Sequence, residues 1–360
     1  MRPSTCMSVI NTALLSFGMS GRVFHAPFVQ QHPGFSLAGC WERSKKVINQ
    51  HYSSVKSYDT LDELLTDPAI DLVVVNTPTL THFEFAKKAL EHGKHVLVEK
   101  AFAGSADEAV ELRALAREKR RKLSVFQNRR WDSDFQSVRS VLQSGVLGDI
   151  VEANLAYSRY DPNLSPKSHK EEPSSGSGIL KDLGPHIIDQ ALVLFGMPEA
   201  VFADIGITRE HSRVDDYFDI LLIYRDKRVH VKGGYFYKQP VPEYTLFGKQ
   251  GCFIKTRSDV QEAQLDQGMT PSDESYGKEP DVSAGQLYTE GKDQTDTLSI
   301  ISPRGNYFEF YEGLYQSIAH DQPEPVSAED GIRIMQIIDA AMQSYREGKV
   351  VKLEKCANCA

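Results

Sequence analysis

The sequence has no excess of positive charge and no long uninterrupted apolar run. It contains 41 Lys and Arg against 49 Asp and Glu, a formal net charge of −8. This balance disfavours a general binder of nucleic acid or of anionic membranes, because such proteins attract their targets through positive surface. No stretch approaches the roughly 20 apolar residues that a membrane-spanning helix needs. We therefore expect neither a nucleic-acid partner nor a membrane partner.

Cysteine is scarce as well. Five cysteines scattered over 360 residues do not suit a secreted disulfide framework, so we expect a cytoplasmic protein. Cys356 and Cys359 form a C-x-x-C pair, but a structural zinc site needs a second pair of ligands, and we predict no metal site. Residues 354–360 are interpreted as a tail without a role. The apolar run near residues 9–17 is interrupted by polar residues and lacks a signal-peptide cleavage pattern.

Length and composition predict two folded domains. At about 150 residues per domain, 360 residues are enough for two cores without disulfide staples. Hydrophobic residues make up 41% and charged residues 25% of the chain, as in ordinary globular proteins. We predict a first domain over residues 1–128 and a second over residues 129–353.

The first domain alternates short apolar runs with amphipathic patterns. The predicted strands are 8–17, 35–40, 70–76, 95–98 and 122–127, and the predicted helices are 61–65, 82–92 and 106–119. Almost wholly apolar strands are typical of parallel sheets that are buried on both faces. The alternation predicts a Rossmann fold, a doubly wound α/β domain.

The second domain has a different pattern, in which strands dominate. The predicted strands are 150–158, 200–208, 217–224, 228–235 and 244–247; the predicted helices are 184–195, 308–319 and 328–346, the last with Ser327 as its N-cap. Residues 261–297 are polar, acidic and rich in Gly, Ser and Asp, and we predict a long surface loop there. Together, the predicted strands and helices indicate an α+β domain built on a large, mostly antiparallel sheet.

A glycine turn follows the first predicted strand and opens a helical pattern. It reads Ser16-Phe17-Gly18-Met19-Ser20-Gly21. Dinucleotide folds place glycines here so that backbone N–H groups approach a pyrophosphate. Ser16 stands where G-x-G-x-x-G has its first glycine, so the match is imperfect, and the strand–turn–helix context carries the prediction.

The end of the second strand bears on the choice of cofactor. An acidic residue there bonds the adenosine ribose of NAD, whereas basic residues accept the extra phosphate of NADP. Glu42 favours NAD if it faces the ribose, and Arg43, Ser44 and Lys45 favour NADP if the strand ends one residue later. The sequence leaves both cofactors open.

Four motifs in order resemble the Gfo/Idh/MocA family of NAD(P)-dependent oxidoreductases. They are residues 18–25 (GMSGRVFH), residues 76–78 (NTP) with His82, residues 93–100 (GKHVLVEK) and residues 182–186 (DLGPH). The resemblance covers about residues 8 to 350, and residues 127–131 and 176–178 resemble the branch of scyllo-inositol dehydrogenase-like enzymes. The resemblance to the family implies a sugar or polyol substrate, such as an inositol, and either NAD or NADP as the cofactor. It also implies a homo-oligomer, either a dimer or a tetramer.

Lys100 is the first catalytic candidate. It closes a predicted strand at the carboxyl edge of the sheet, where open α/β folds bind ligands. Its ammonium group could stabilise the negative charge that develops on a hydroxyl oxygen as hydride leaves. In the family's Glu-Lys-Pro motif a proline follows, but here Ala101 stands in its place, which puts the local backbone geometry in doubt.

Asp182 and His186 are the second pair of catalytic candidates. Four residues apart at the start of a predicted helix, their side chains can point from one face. The resemblance implies that His186 accepts the hydroxyl proton and that Asp182 orients the imidazole or bonds a neighbouring hydroxyl. A metal site at these two residues would need a third ligand, and the sequence identifies none.

Weaker candidates complete the predicted site. By resemblance, Thr77, Pro78 and His82 lie beside the nicotinamide and its ribose, and Glu99 bonds that ribose. Arg130, Trp131 and Tyr160 could line a sugar pocket, with arginine holding hydroxyls and an aromatic face packing on C–H groups. Two other functions stay open: a non-catalytic sensor that binds NAD(P), and a glycosidase that uses bound NAD for transient oxidation.

Overall fold

The computed structural model describes residues 9–166, 168–174, 176–239, 241–290 and 295–353. The predicted tail at 354–360, with its C-x-x-C pair, lies outside the described residues. The strands are β1 (Ile10–Leu14), β2 (Phe35–Trp41), β3 (Lys56–Tyr58), β4 (Leu72–Val75), β5 (His95–Val98), β6 (Leu123–Val125), β7 (Ile150–Ser158), β8 (Ala200–Gly206), β9 (Tyr217–Ile223), β10 (Arg228–Gly234), β11 (Tyr244–Gly248), β12 (Gly251–Lys255), β13 (Gly285–Glu290), β14 (Thr295–Ile300) and β15 (Val351–Lys352).

The helices include several of only four to six residues. They are α1 (Ala26–Gln31), α2 (Ile48–His51), α3 (Leu61–Thr66), α4 (His82–Glu91), α5 (Ala106–Lys119), α6 (Ser133–Gln143), α7 (Ser168–Glu171), α8 (Ile179–Asp182), α9 (Gly184–Phe195), α10 (Gln261–Asp266), α11 (Phe308–His320) and α12 (Ala328–Glu347). A π-helical turn, Gly21–His25, leads into α1.

The chain divides into two compact units, and each is discontinuous in sequence. The first comprises Met1–Asn128, Gln261–Tyr276 and Asn306–Ile332; the second comprises Arg129–Val260, Gly277–Gly305 and Arg333–Ala360. The two predicted domains, residues 1–128 and 129–353, are continuous ranges, whereas in the structure Gln261–Tyr276 and Asn306–Ile332 join the first unit.

The first unit is built on a six-stranded parallel sheet in the order β3-β2-β1-β4-β5-β6. All four residues of β4 are buried, because helices cover both faces of a doubly wound sheet. The predicted Rossmann fold is confirmed. The strand order reverses between β1 and β4, which is the point where such sheets bind their ligands.

Side-chain caps fix several helix ends in the first unit. Thr60 and Glu63 form a reciprocal capping box at the start of α3. The predicted N-cap of α12 is confirmed, because the Asp330 N–H donates to the Ser327 hydroxyl at 3.2 Å. The Ser327 N–H in turn donates to the Asp330 carboxylate at 2.9 Å.

The second unit is built on a nine-stranded sheet in the order β14-β13-β12-β11-β7-β10-β9-β8-β15. Its neighbours are antiparallel except for β7 and β10, so the predicted, mostly antiparallel sheet is confirmed. Along β9 the residues alternate between buried and half-exposed, as expected for a sheet with one covered face. Helix α9 packs on β7 and β10 and covers that face.

The prediction of a long surface loop over residues 261–297 is wrong. Helix α10, strand β13 and the first part of β14 lie in this range. The two strands form an antiparallel pair at one edge of the sheet, where Leu287 is buried but most neighbouring side chains remain half-exposed or exposed. An edge pair with so little apolar burial has a polar sequence, and its polarity resembles that of a loop.

The described residues contain neither a membrane-spanning helix nor a cluster of metal ligands. No helix there has both the length and the apolar character to cross a membrane. No three His, Cys, Asp or Glu side chains in the described ranges are grouped as metal ligands.

Candidate functional site

The glycine turn is held in place by Asn76, which follows β4 directly. The Ser16 N–H donates to Asn76 Oδ1 at 3.0 Å, and Asn76 Nδ2 donates to the Ser16 carbonyl oxygen at 2.9 Å. The Ser16 hydroxyl donates to the Asn76 carbonyl oxygen at 2.9 Å. Sequence reasoning quoted Asn76 within a motif but did not select it as a site residue; a polar side chain directly after an apolar parallel strand was the available signal.

The glycine turn combines one crowded glycine with an exposed stretch of backbone. A Cβ on Gly21 would lie 2.6 Å from the Ser16 carbonyl oxygen and 2.9 Å from Asn76 Nδ2, so only glycine fits. A Cβ on Gly18 would meet only the Ser16 hydroxyl, at 3.9 Å, because Gly18 and Met19 face open space. Ser20, the N-cap residue of the π-helical turn, makes no side-chain cap. This exposed stretch of backbone fits a phosphate group bound by N–H donors.

Glu42 is turned inward and caps a helix. It directly follows β2, is 7% exposed, and accepts hydrogen bonds from the Val47 N–H at 3.1 Å and from the Ile48 N–H at 2.9 Å. These are the first backbone donors of α2, which a carboxylate stabilises at a helix N-terminus. By contrast, the basic Arg43 beside it is exposed.

Lys100 is the second residue after β5, at the carboxyl edge of the parallel sheet, and is half-buried. Its backbone N–H donates to Glu99 Oε2 at 3.1 Å. The peptide bond between Lys100 and Ala101 is cis, an isomer that is less costly before proline than before alanine.

Glu99 itself is 8% exposed, and its other carboxylate oxygen, Oε1, lies 3.1 Å from His25 Nε2. Burial by itself raises the pKa of Glu99, but the hydrogen bond and the positive charge of His25, together with Lys100, outweigh it and hold that pKa below its usual value. Both carboxylate oxygens therefore contact groups of this unit. Sequence reasoning did not select His25, which gave no signal other than its place in the first motif.

His82 is fully buried at the start of α4. Its Nδ1 lies 2.7 Å from the Ala101 carbonyl oxygen and its Nε2 lies 2.8 Å from the Thr77 carbonyl oxygen. The Thr77 hydroxyl is bonded to the Thr81 hydroxyl at 2.7 Å, and Pro78 is exposed. The imidazole thus joins the loop after β4 to the segment after Lys100, and of the three residues predicted beside the nicotinamide only Pro78 is exposed.

In the second unit, Asp182 and His186 lie on two consecutive helices, α8 and α9. Asp182 is the last residue of α8, and His186 lies in the first turn of α9. Pro185 has no N–H with which to continue the hydrogen bonds of α8, which explains the break at Leu183. Leu183 keeps helical dihedral angles, φ −104° and ψ −30°, so the two side chains stay about one helical turn apart. His186 is 5% exposed.

Lys170 is a contact of the site that sequence reasoning did not find. It lies in α7 and donates from Nζ to Asp182 Oδ2 at 2.9 Å. The next residue, Glu171, accepts two hydrogen bonds from the buried Arg209. Because Arg209 also donates to the buried Asp216 at 3.3 Å, this ion-pair chain anchors α7 beside Asp182.

The three predicted pocket residues have different environments. Arg130 donates to both carboxylate oxygens of Asp189, at 2.8 and 2.6 Å, and ties the start of the second unit to α9. Trp131 is half-buried. Tyr160 is 51% exposed, and the Lys238 ammonium lies 5.5 Å from the centre of its ring.

Comparison with known proteins gives two matching family models. Residues 10–127 match the NAD-binding Rossmann fold of the Gfo/Idh/MocA oxidoreductase family, and residues 139–353 match the C-terminal alpha/beta domain of that family. Among curated relatives, scyllo-inositol 2-dehydrogenase (NADP(+)) IolW of Bacillus subtilis is 35% identical, over 97% of each chain. The uncharacterized oxidoreductase YdgJ of Escherichia coli is 35% identical, over 94% of this chain and 96% of its own.

Solved structures of similar proteins agree with the family matches. The oxidoreductase YvaA from Bacillus subtilis superposes with a TM-score of 0.92 at 35% identity, covering 97% of this chain and 99% of that one. An oxidoreductase from Bacteroides fragilis superposes with a TM-score of 0.87 at 41% identity, covering 96% of this chain and 100% of that one. The family predicted from the ordered motifs is confirmed, and the chain belongs to the Gfo/Idh/MocA family of NAD(P)-dependent oxidoreductases.

Proposed function

We propose that this oxidoreductase transfers hydride between NADP and a secondary hydroxyl carbon of a sugar or inositol. The observation that carries the proposal is the placement of Lys100, a half-buried lysine fixed by Glu99 at the carboxyl edge of the NAD-binding sheet. The similarity to a scyllo-inositol 2-dehydrogenase over 97% of each chain supports a polyol substrate.

In this proposal the bound nicotinamide accepts or supplies the hydride, and the side chains of this chain manage the proton and the charge. The Lys100 ammonium stabilises the negative charge that develops on the reacting oxygen. His186 accepts the hydroxyl proton, the general-base role that histidine side chains most often fill in enzymes. Asp182 orients that imidazole or bonds a neighbouring hydroxyl of the polyol, and Lys170 holds the Asp182 carboxylate from its other side.

NADP is favoured over NAD by the end of β2. The Glu42 carboxylate accepts two backbone N–H groups of its own unit and is 7% exposed, so it is committed to capping α2. Arg43, Ser44 and Lys45 are exposed immediately after it, and cationic side chains with a hydroxyl suit a ribose phosphate. The NADP named for the Bacillus subtilis relative supports the same choice.

The test of the function is absorbance at the band of the reduced nicotinamide, with NAD and NADP each offered a panel of inositols and aldoses. We expect the band to grow with NADP and at least one polyol. No growth with any polyol, despite cofactor binding measured by titration, would contradict the proposal. Release of a sugar from a glycoside while the cofactor returns to its starting state would instead identify a glycosidase.

The test of cofactor choice is a binding titration. Replacing Arg43 and Lys45 together by alanine should weaken NADPH binding at least about ten-fold, since two charge-assisted contacts to phosphate are lost. NADH, which lacks that phosphate, should bind the variant and the wild type equally. Equal weakening of both cofactors would show that the two side chains do not read the phosphate.

Self-association through the nine-stranded sheet, in a reducing cytoplasm, completes the proposal. Phe202 on β8 and Phe247 on β11 are 40% and 41% exposed on strands of this sheet, and exposed aromatic side chains are favourable to bury. Cys40 and Cys252 are both free thiols, as a reducing compartment requires. Light scattering at two protein concentrations tests the association, and a monomer at both would contradict it.

A further inference from the structure

His25 occupies a fully buried place in the first unit, between a carboxylate and a phenol. Its Nε2 lies 3.1 Å from Glu99 Oε1, and its Nδ1 lies 2.9 Å from the Tyr311 hydroxyl. The ring packs against Phe126, with 4.6 Å between the ring centres. The proposed catalytic steps do not use this side chain.

The hydrogen bonds around His25 determine which of its ring nitrogens carry a hydrogen. Tyr311 donates its one hydroxyl proton to the Phe24 carbonyl oxygen, so towards His25 it can only accept. Nδ1 must therefore carry a hydrogen. Burial raises the pKa of Tyr311 well above its usual value, and the nearby Glu99 charge adds to this effect, so the phenol keeps its proton.

The second nitrogen of His25 faces Glu99. The pKa of Glu99 is held below its usual value, so Glu99 is a carboxylate and can only accept the one hydrogen that the contact between Nε2 and Oε1 needs. The proton therefore belongs to Nε2, and the pair is an imidazolium beside a carboxylate. The other charged or titratable side chains that act on Glu99 are Lys100 and His82, and their charge also favours the carboxylate form.

This ion pair links two parts of the predicted cofactor and catalytic site. His25 ends the π-helical turn that begins at Gly21 of the glycine turn, and π-helical turns are frequent at functional sites. Glu99 uses its second oxygen to accept the backbone N–H of Lys100. A rigid chain of contacts thus runs from the glycine turn through His25 and Glu99 to the main chain of Lys100.

We propose that His25 is a positioning residue, hydrogen-bonded between Tyr311 and Glu99, that fixes Glu99 so that Glu99 fixes Lys100. The kinetic part of this inference rests on the proposed function. The parts of the inference that concern the hydrogens of His25 and the main chain of Lys100 do not rest on it, because they concern the folded protein without any substrate.

His32 provides a matched comparison within the same unit. It is also buried, at 1% exposure, and its Nε2 lies 3.0 Å from Glu312 Oε2. Its Nδ1, however, accepts the Gly34 N–H at 3.0 Å, so a single hydrogen on Nε2 satisfies both contacts. The hydrogen bonds therefore place hydrogens on both ring nitrogens of His25 and on Nε2 alone of His32.

The first test is nitrogen-15 NMR of the full-length wild-type protein without cofactor, with assignment by the His25→Phe and His32→Phe variants. The expected result is an imidazolium signal for His25 and a neutral signal for His32. A neutral His25 would overturn the proposal, whatever the protein is found to catalyse.

The second test is amide hydrogen exchange of the segment that contains Lys100. In His25→Phe the Lys100 amide should lose protection, since Glu99 is no longer held, while in His32→Phe its protection should match the wild type. If exchange at Lys100 is the same in both variants, the link through Glu99 is refuted. The His25→Gln variant, which keeps one N–H donor, repeats the test if His25→Phe does not fold.

The third test is kinetic. With the polyol that reduces NADP, His25→Phe should lower kcat about 100-fold, as a misplaced catalytic group does, while the Kd of NADPH shifts less than about three-fold. The kcat of His25→Gln should be about ten-fold higher than that of His25→Phe, which corresponds to one hydrogen bond. His32→Phe should keep the wild-type kcat. An equal loss of kcat in His25→Phe and His32→Phe would show that His25 has only a structural role. If the wild type itself oxidises no polyol, the proposed function fails, and the NMR and exchange results still decide this inference.

Discussion

The side chain of Asn76 holds the main chain of Ser16 on both its N–H and its carbonyl group, at 3.0 and 2.9 Å. Ser16 begins the glycine turn and Asn76 follows β4, so this contact spans the point where the strand order of the parallel sheet reverses. An Asn76→Asp variant keeps the acceptor for the Ser16 N–H but places a carboxylate oxygen against the Ser16 carbonyl. We expect the Kd of NADPH to rise at least about ten-fold, the cost of one lost hydrogen bond. Unchanged cofactor affinity in a folded variant would show that Asn76 does not shape the turn.

The two glycines of the turn should respond differently to alanine. Gly21→Ala forces a Cβ to within 2.6 Å of the Ser16 carbonyl oxygen, so both the melting temperature and the NADPH affinity should fall. Gly18→Ala meets nothing closer than 3.9 Å, so the melting temperature should stay the same while cofactor binding weakens. Thermal unfolding with and without NADPH separates the two effects. A stability loss in Gly18→Ala as large as that in Gly21→Ala would contradict the packing described here.

His95 on β5 should make the protein less stable in acid. Burial and the nearby positive charge of Arg121 lower the pKa of His95 from 6.5 to about 4, and its Nδ1 accepts the Lys122 N–H at 3.0 Å. The unfolded chain therefore binds a proton at a higher pH than the folded chain does. The stability that His95 contributes is complete above pH 6.5 and is lost as the pH falls towards about 4.

A His95→Asn variant keeps an acceptor near the Lys122 N–H but cannot be protonated. Urea midpoints at about pH 7.5 and about pH 5 should therefore differ less in the variant than in the wild type. An identical fall in both proteins would show that other groups account for the acid sensitivity.

Gly178 and Gly196 provide a matched pair at the two ends of the segment that carries Asp182 and His186. Both have positive φ, at 89° and 71°. A Cβ on Gly178 would lie 2.0 Å from Asp215 Oδ1, whereas a Cβ on Gly196 meets nothing within 4 Å. Gly196→Ala should cost about 1 kcal/mol of unfolding free energy through backbone strain alone, and Gly178→Ala at least about 1 kcal/mol more. Chemical denaturation measures both, and equal costs would contradict the close contact between Gly178 and Asp215.

Elements with clear end signals could be predicted from the sequence. The bounds of α5, β7 and α9 agree with the prediction residue for residue; Ser105 is the N-cap of α5, and Gly196 follows the last residue of α9. Strand β3 has only three residues, and the pair β13–β14 buries little apolar surface. Neither has a sequence pattern that distinguishes it from a loop.

The candidate site was predictable in its residue types but not in its contacts. Lys100 could be placed at the carboxyl edge of the sheet because it ends a recognisable parallel strand. That Glu42 caps α2, and that His82 bonds the Ala101 carbonyl oxygen, depends on groups brought close by folding. The same holds for Lys170 and Asp182, twelve residues apart, where no spacing rule predicts a pair.

The central claim is that Lys100 and His186 act in the chemical step and not in binding the cofactor. The most direct measurement is a single-turnover reduction of NADP by the active polyol, followed at the absorbance band of the reduced nicotinamide in wild type, Lys100→Met and His186→Ala. We predict that each variant binds NADPH with wild-type affinity and forms the band at least about 100-fold more slowly. Wild-type rates in both folded variants would contradict the account.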